Sequence, residues 1–171
     1  MVEIMKGIDF FKTAIFGCDH AGFELKEELK NYFEDRGFAI KDVNSQYENP
    51  IHYGQSALKV SKQVLENKNN LGILVCGTGI GISIAANRMK GIKAALLYDD
   101  FAAEYARKHN NANILVFGGR TMEIEQTKKR IDIFLAHQFA GGKYQKRNIF
   151  LQECGIEADE LEQIFKEENL K

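Results

Sequence analysis

A chain of 171 residues with 44% apolar and 27% charged side chains is the size of one domain able to bury a core. A net charge of −1 with no basic cluster removes any electrostatic reason for nucleic acid or an anionic membrane as partner. No apolar run nears the length of a membrane span, and the acidic, interrupted start "MVEIMKGIDFFK" does not read as a secretory signal.

"TAIFGCD" (Thr13 to Asp19) reads as a short apolar strand. From Ala21 to Arg36, Leu25, Leu29, Tyr32 and Phe33 recur at helical spacing, and Gly37 supplies the stop. "FAIKDV" is a second strand, and "NSQYENPIHYG", with the chain's single proline, is a polar loop. Helix follows over Tyr53 to Glu66, then the strand "LGILVC" and a helix from Ile80 to Met89. The strand "IKAALLYD" leads into helix from Phe101 to His109. "ANILVFGG" precedes a long helix, Thr121 to Phe139, and an amphipathic helix over Ala158 to Asn169 closes the chain.

Five strand–helix units in series, with strands apolar throughout, predict an α/β fold: a five-stranded parallel sheet with helices on both faces. No repeat or interdomain linker divides the chain, so residues 1–171 read as a single domain. Ligands in such sheets collect at the carboxyl ends of the strands. Those ends are polar here: "GCDHAG", "VCGTGIG", "LYDD" and "FGGR". Cys18, Cys76 and Cys154 are odd in number with no CxxC pair, which predicts free thiols in a reducing, cytoplasmic compartment.

The turn after Cys76 carries Gly77, Gly79 and Gly81 at alternate positions. A dinucleotide fingerprint needs G-x-G-x-x-G, although Asp99 lies at a suitable distance to meet a ribose. A Walker A loop needs a Gly-Lys pair that is absent. A cysteine phosphatase loop would want arginine where Ile82 stands. An inert buried cysteine in a tight turn is the plain structural alternative. Successive glycines let backbone N–H groups converge on an anionic oxygen, and a thiol beside a helix start gains thiolate character. One turn then offers both a base and an oxyanion hole, which suits proton abstraction alpha to a carbonyl. No His, Cys, Asp or Glu spacing resembles a zinc site, and Asp99-Asp100 is accounted for by helix capping.

"IFGCDHAGFELK", "VCGTGIGISIAANRMKGIKAAL", "ARKHNNANILVFGGR" and "FAGGKYQKR" occur in the order found in the type B ribose-5-phosphate isomerases, and the chain resembles that family over about Thr13 to Ile149. The wider group includes galactose-6-phosphate and allose-6-phosphate isomerases. The resemblance implies a Rossmann-like three-layer α/β/α sandwich with strand order 2-1-3-5-4. It also implies a homodimer or dimer of dimers, and interconversion of an aldose phosphate and its ketose without metal or other cofactor. Cys76 matches the general base acting through a cis-enediolate, and Gly77, Gly79 and Gly81 match the anion hole. Asp19 and Thr78 match groups on the sugar hydroxyls and ring oxygen. His109 matches the ring-opening residue, reaching the site with Asn110 from the neighbouring subunit. His20, Arg120 and Arg147 match phosphate ligands. Ser83 stands where some relatives carry a glutamate base, so the chain resembles the cysteine-base branch. His52 is included as a loop contact.

Three departures from the family pattern stand out. Lys143-Tyr144 replaces an Arg-His pair, which keeps a positive charge at 143 but loses the guanidinium fork. An extension over 1–12, with Ile8, Phe10 and Phe11, and a helix over 156–171 are additions. Each would pack on a neighbouring subunit or on the sheet edge. A ribose phosphate substrate is expected, with a hexose 6-phosphate as the alternative. A nucleotide-binding oxidoreductase and a catalytically silent sugar-phosphate sensor are the readings of other classes.

Overall fold

Strands apolar on both faces must be covered on both, and the chain achieves this by returning through a helix after each strand. The structure, a computed structural model, describes residues 10–45 and 52–169. β1 (Thr13–Cys18), β2 (Ala39–Asp42), β3 (Asn70–Cys76), β4 (Ala94–Leu96) and β5 (Ile114–Gly118) pair in parallel in the order β2-β1-β3-β5-β4, as the resemblance implied. The helices are α1 (Phe23–Glu34), α2 (Tyr53–Leu65), α3 (Ile80–Ala86), α4 (Asp100–Lys108), α5 (Ile124–Ala136), α6 (Gln145–Glu153) and α7 (Ala158–Asn169). Among the described residues no helix is long and apolar enough to cross a membrane.

Alternation along the central strands divides the core. Ile15, Leu74 and Val116 face α2 and α3, meeting Ala57, Val60, Ile82 and Ala86. Phe16, Ile73, Val75, Leu115 and Phe117 face α1, α4 and α5, meeting Leu29, Phe33, Ala103, Ile131 and Phe134. The result is an α/β/α sandwich. Its strand order reverses between β1 and β3, which opens a crevice at their carboxyl ends.

Several boundaries differ from expectation. The strands are not all apolar throughout: β2 is an edge strand and alternates between exposed and half-buried residues. β4, the other edge, pairs only over Ala94–Leu96. The helix expected from Ala21 starts at Phe23, because Asp19 first caps a tight turn over His20–Gly22. The helix expected from Thr121 starts at Ile124, since Thr121 and Met122 are bound back to the Gly118 carbonyl. α6 was not expected at all. Asn148 is its buried residue, so it carries no apolar stripe to read.

The two extensions also differ from expectation. Residues 1–9 lie outside the described residues, as do 46–51 of the predicted polar loop. Phe11, however, enters this chain's own core and stacks on Phe134 with ring centroids 6.1 Å apart. α7 lies on the outer helix α2 rather than on the sheet edge: Ala158 and Leu161 join the apolar cluster there, and Lys62 pairs with Glu162.

Candidate active site

The β3–α3 turn is shaped by its glycines. Gly79 sits at φ 79°, a left-handed conformation that glycine adopts without steric cost. An added Cβ there would lie 2.5 Å from Leu96 Cδ1 and 3.1 Å from the Phe117 carbonyl oxygen. This conformation lets the Gly79 N–H turn back and donate to Cys76 Sγ at 3.2 Å. An N–H aimed at sulfur solvates negative charge developing there. Cys76 is 5% exposed, at the last position of β3, so its sulfur stands at the boundary between core and crevice.

Neighbouring strand ends close around this turn. The Gly119 N–H donates to the Cys76 carbonyl at 2.8 Å and the Arg120 N–H to the Gly77 carbonyl at 3.0 Å. That lays the Arg120 side chain over Gly77. Asp19 Oδ1 accepts from the N–H groups of Ala21 and Gly22 at 2.9 and 3.1 Å, which holds His20 outward beside Arg120. His20 and Arg120 line one cleft of about 610 Å³ with Gly119 and Phe23. Arg120 has no ion-pair partner among the described residues. Thr78 is exposed, and its Oγ1 accepts from the Ile80 N–H at 3.3 Å. Ser83 Oγ donates to the Ile80 carbonyl at 2.8 Å, within its own helix. His52 caps α2, its Nδ1 accepting from the Gly54 N–H at 3.1 Å, and stacks on Tyr53.

His109, Asn110, Lys143 and Arg147 are not part of this cluster. α4 runs back along the sheet and ends at His109, which precedes the start of β5, whereas Cys76 pairs with Gly118 at the end of β5. The length of β5, at about 3.3 Å per residue, puts roughly 16 Å between the two ends. At the far end His109 stacks on Tyr144, ring centroids 3.9 Å apart, with Tyr105 against its edge. Asn148 Nδ2 donates to the His109 carbonyl at 2.7 Å and fixes α6 to it. Loss of water contact, then the charges of Lys108, Lys143 and Arg147, hold the His109 imidazole below its ordinary value. The residues expected to act together thus fall into two separate groups within one chain.

Two aromatic contacts are not announced by the sequence. Tyr53 packs its ring against Gly81, within 3.2 Å of where a Cβ would stand, and walls the turn. Tyr144 is the platform under His109. No local pattern links position 53 to 81 or 144 to 109. Asp99, which a dinucleotide reading would place on a ribose, instead caps α4, accepting from the Ala102 N–H at 2.6 Å. Cys18, though buried at the neighbouring strand end, has a thiol that burial pushes up to about 11, so it does not share the role expected of Cys76. Among the described residues no three His, Cys, Asp or Glu side chains gather as a metal site would need.

A parallel sandwich with a cysteine-bearing glycine turn at its switch point defines a class, and comparison with known proteins places the chain within it. A family model described as Ribose/Galactose Isomerase matches residues 14–149. Ribose-5-phosphate isomerase B of Escherichia coli is 39% identical over 136 residues, covering 80% of this chain and 91% of that protein. The crystal structure of a ribose 5-phosphate isomerase from Thermotoga maritima superposes with a TM-score of 0.78 at 44% identity, covering 83% of this chain and 97% of that one. Ribose-5-phosphate isomerase B from Mycoplasma genitalium, solved with bound ribulose-5-phosphate, gives a TM-score of 0.77 at 34% identity, with 83% and 95% covered. The chain belongs to the ribose/galactose isomerase family.

Proposed function

We propose that this chain interconverts ribose 5-phosphate and ribulose 5-phosphate, with Cys76 as the base. The observation that carries the reading is the Cys76 sulfur, set at the rim of a crevice with a backbone N–H turned on it, in a chain of this family. The Mycoplasma genitalium relative with ribulose-5-phosphate bound supports the substrate. The phosphate would rest on His20 and Arg120, with the sugar's C1–C2 end over the glycine turn. Sγ takes the proton from C2 of the open aldose, and the electron pair passes into a cis-enediolate. Backbone N–H groups of the turn meet the negative oxygen, with Thr78 and Asp19 on the hydroxyls. Return of the proton to C1, with the O2 hydroxyl proton passing to O1 as the C2 carbonyl forms, gives the ketose. Enediolate charge met by backbone donors needs no Lewis acid, so activity should survive extensive dialysis against a chelator.

His109, Asn110, Lys143 and Arg147 would complete the site from a second copy of the chain. The separation of the two groups supports this, as does the exposed apolar surface of Ile80, Ile84, Tyr98 and Phe101 beside the crevice. An uncharged His109 is suited to take the proton of the ring hydroxyl and open the furanose. A cytoplasmic location accords with the three free thiols.

The test is turnover by purified protein on ribose, allose, galactose and glucose phosphates, with exchange of the C2 proton followed by NMR. Ribose 5-phosphate should be the best substrate. Cys76→Ala should lower turnover by about 10²- to 10⁴-fold while ribose 5-phosphate still binds. Retention of more than about a tenth of the activity by that variant would reject Cys76 as the base.

A further inference from the structure

At the opposite end of the sheet from Cys76, between the entries to β3, β4 and β5, lies a pocket of about 280 Å³ lined by three cations, Lys68, Lys93 and Arg107, and, among the described residues, by no Asp or Glu. None of the residues assigned to the sugar-phosphate site lines it. Arg107 comes from the last turn of α4 and is 6% exposed. Its guanidinium carbon lies 5.2, 5.0 and 5.8 Å from the ring centroids of Phe10, Phe11 and Phe134, which hold it in place. One arm donates to Asn111 Oδ1. Its other N–H groups and the Lys93 ammonium have no hydrogen-bond or ion-pair partner among the described residues. Lys93 is fixed by its backbone, whose N–H donates to Asn113 Oδ1 at 2.8 Å.

A buried guanidinium with no counter-charge is costly, and a half-buried ammonium beside it adds their mutual repulsion. Burial pushes both groups below their ordinary values, and Arg107 pushes Lys93 down further. The arrangement is one that an anion completes. A guanidinium with free N–H groups, flanked by two ammonium groups, suits a phosphate group, which carries close to two charges at neutral pH and three acceptor oxygens.

We propose that this pocket is a second anion site, built on Lys93 and Arg107, that takes a phosphate group, either free or as the terminal phosphate of a small metabolite. The test must silence the first site. In an Arg120→Ala/Arg147→Ala background, isothermal titration at constant ionic strength with inorganic phosphate should still detect one site per chain. Adding Lys93→Gln should weaken it by about tenfold or more, whereas Lys93→Arg should keep it. Lys68→Gln, exposed on the rim, should weaken it several-fold. In phosphate-free buffer Lys93→Gln should melt no lower than its parent, since it removes a repelled charge. Glycerol 3-phosphate is the second probe: binding of both ligands assigns the site to a metabolite's phosphate, and binding of inorganic phosphate alone assigns it to the free ion. A background protein that binds neither ligand would overturn the proposal, as would binding that Lys93→Gln and Lys68→Gln both leave unchanged.

Discussion

Within four residues of Cys76 the backbone must leave a buried strand, aim an N–H at sulfur and start a helix, and Gly79 makes these compatible. A side chain there would meet both the left-handed strain and the contacts with Leu96 and Phe117. Gly79→Ala should therefore cost about 1–2 kcal/mol of stability, read from a urea denaturation midpoint. Turnover should fall by more than that loss of stability explains, because the turn cannot relax without moving the N–H away from Sγ. At His109, the sign of the electrostatics is equally testable. Burial and the cations around His109 both favour neutral imidazole. Its ring protons should titrate in an NMR experiment below the ordinary value of about 6.5, and Lys143→Gln should move the midpoint upward. A midpoint at or above the ordinary value would contradict the arrangement described.

Elements here are joined by a few buried polar contacts as well as by apolar packing. Lys26 of α1 is fully buried, and its ammonium donates to Asp42 Oδ2 and to the Asn44 carbonyl, each at 2.8 Å. Asn44 in turn brackets the end of β1: its Nδ2 donates to the Cys18 carbonyl at 2.7 Å and its Oδ1 accepts from the Cys18 N–H at 3.2 Å. A chain of contacts thus runs from α1 to the residue before Asp19. Burial alone would raise the Asp42 carboxyl, but the hydrogen bonds from Lys26 and Lys30 outweigh it and hold the group below its ordinary value. A depressed folded value means the contribution is fully present above the unfolded value of about 4 and is lost as pH falls through the folded one. Lys26→Met keeps the apolar stem and removes the charge. It should cost about 3 kcal/mol near neutral pH, with a smaller deficit in acid where Asp42 is protonated in both proteins.

On the scale of the whole molecule, the separation of Cys76 from His109 makes the proposed sharing of sites between two copies testable. Cys76→Ala and His109→Asn should each be inactive on ring-form substrate. Refolded together in equal amounts, they should recover up to about a quarter of wild-type activity, because in the proposed dimer with shared sites both lesions fall in one site of a mixed pair and leave the other intact. Continued inactivity with heterodimers confirmed by mass spectrometry would place both residues in one chain's site.

Much of this was legible in the residues themselves. Apolar runs of strand length, the glycine turn behind Cys76 and the polar strand ends are local patterns, imposed by backbone sterics and by which residues tolerate burial. They were enough to derive a parallel α/β sheet and to single out the glycine turn, and the four ordered motifs added the family. The helix α6 escaped because it buries Asn148 rather than an apolar stripe. Tyr53 over Gly81 and Tyr144 under His109 escaped because contacts between distant positions follow from how helices settle on the sheet. Phe11 and α7 found their places in the same way, by filling core and helix surface that no neighbouring residue announces. The carbons and charges that must be buried are written along the chain, but which of them meet depends on packing in three dimensions. Hence the cysteine's surroundings could be derived from sequence, while its distance from His109 and the gathering of Lys68, Lys93 and Arg107 at the sheet's far end emerged only once the strands were laid side by side.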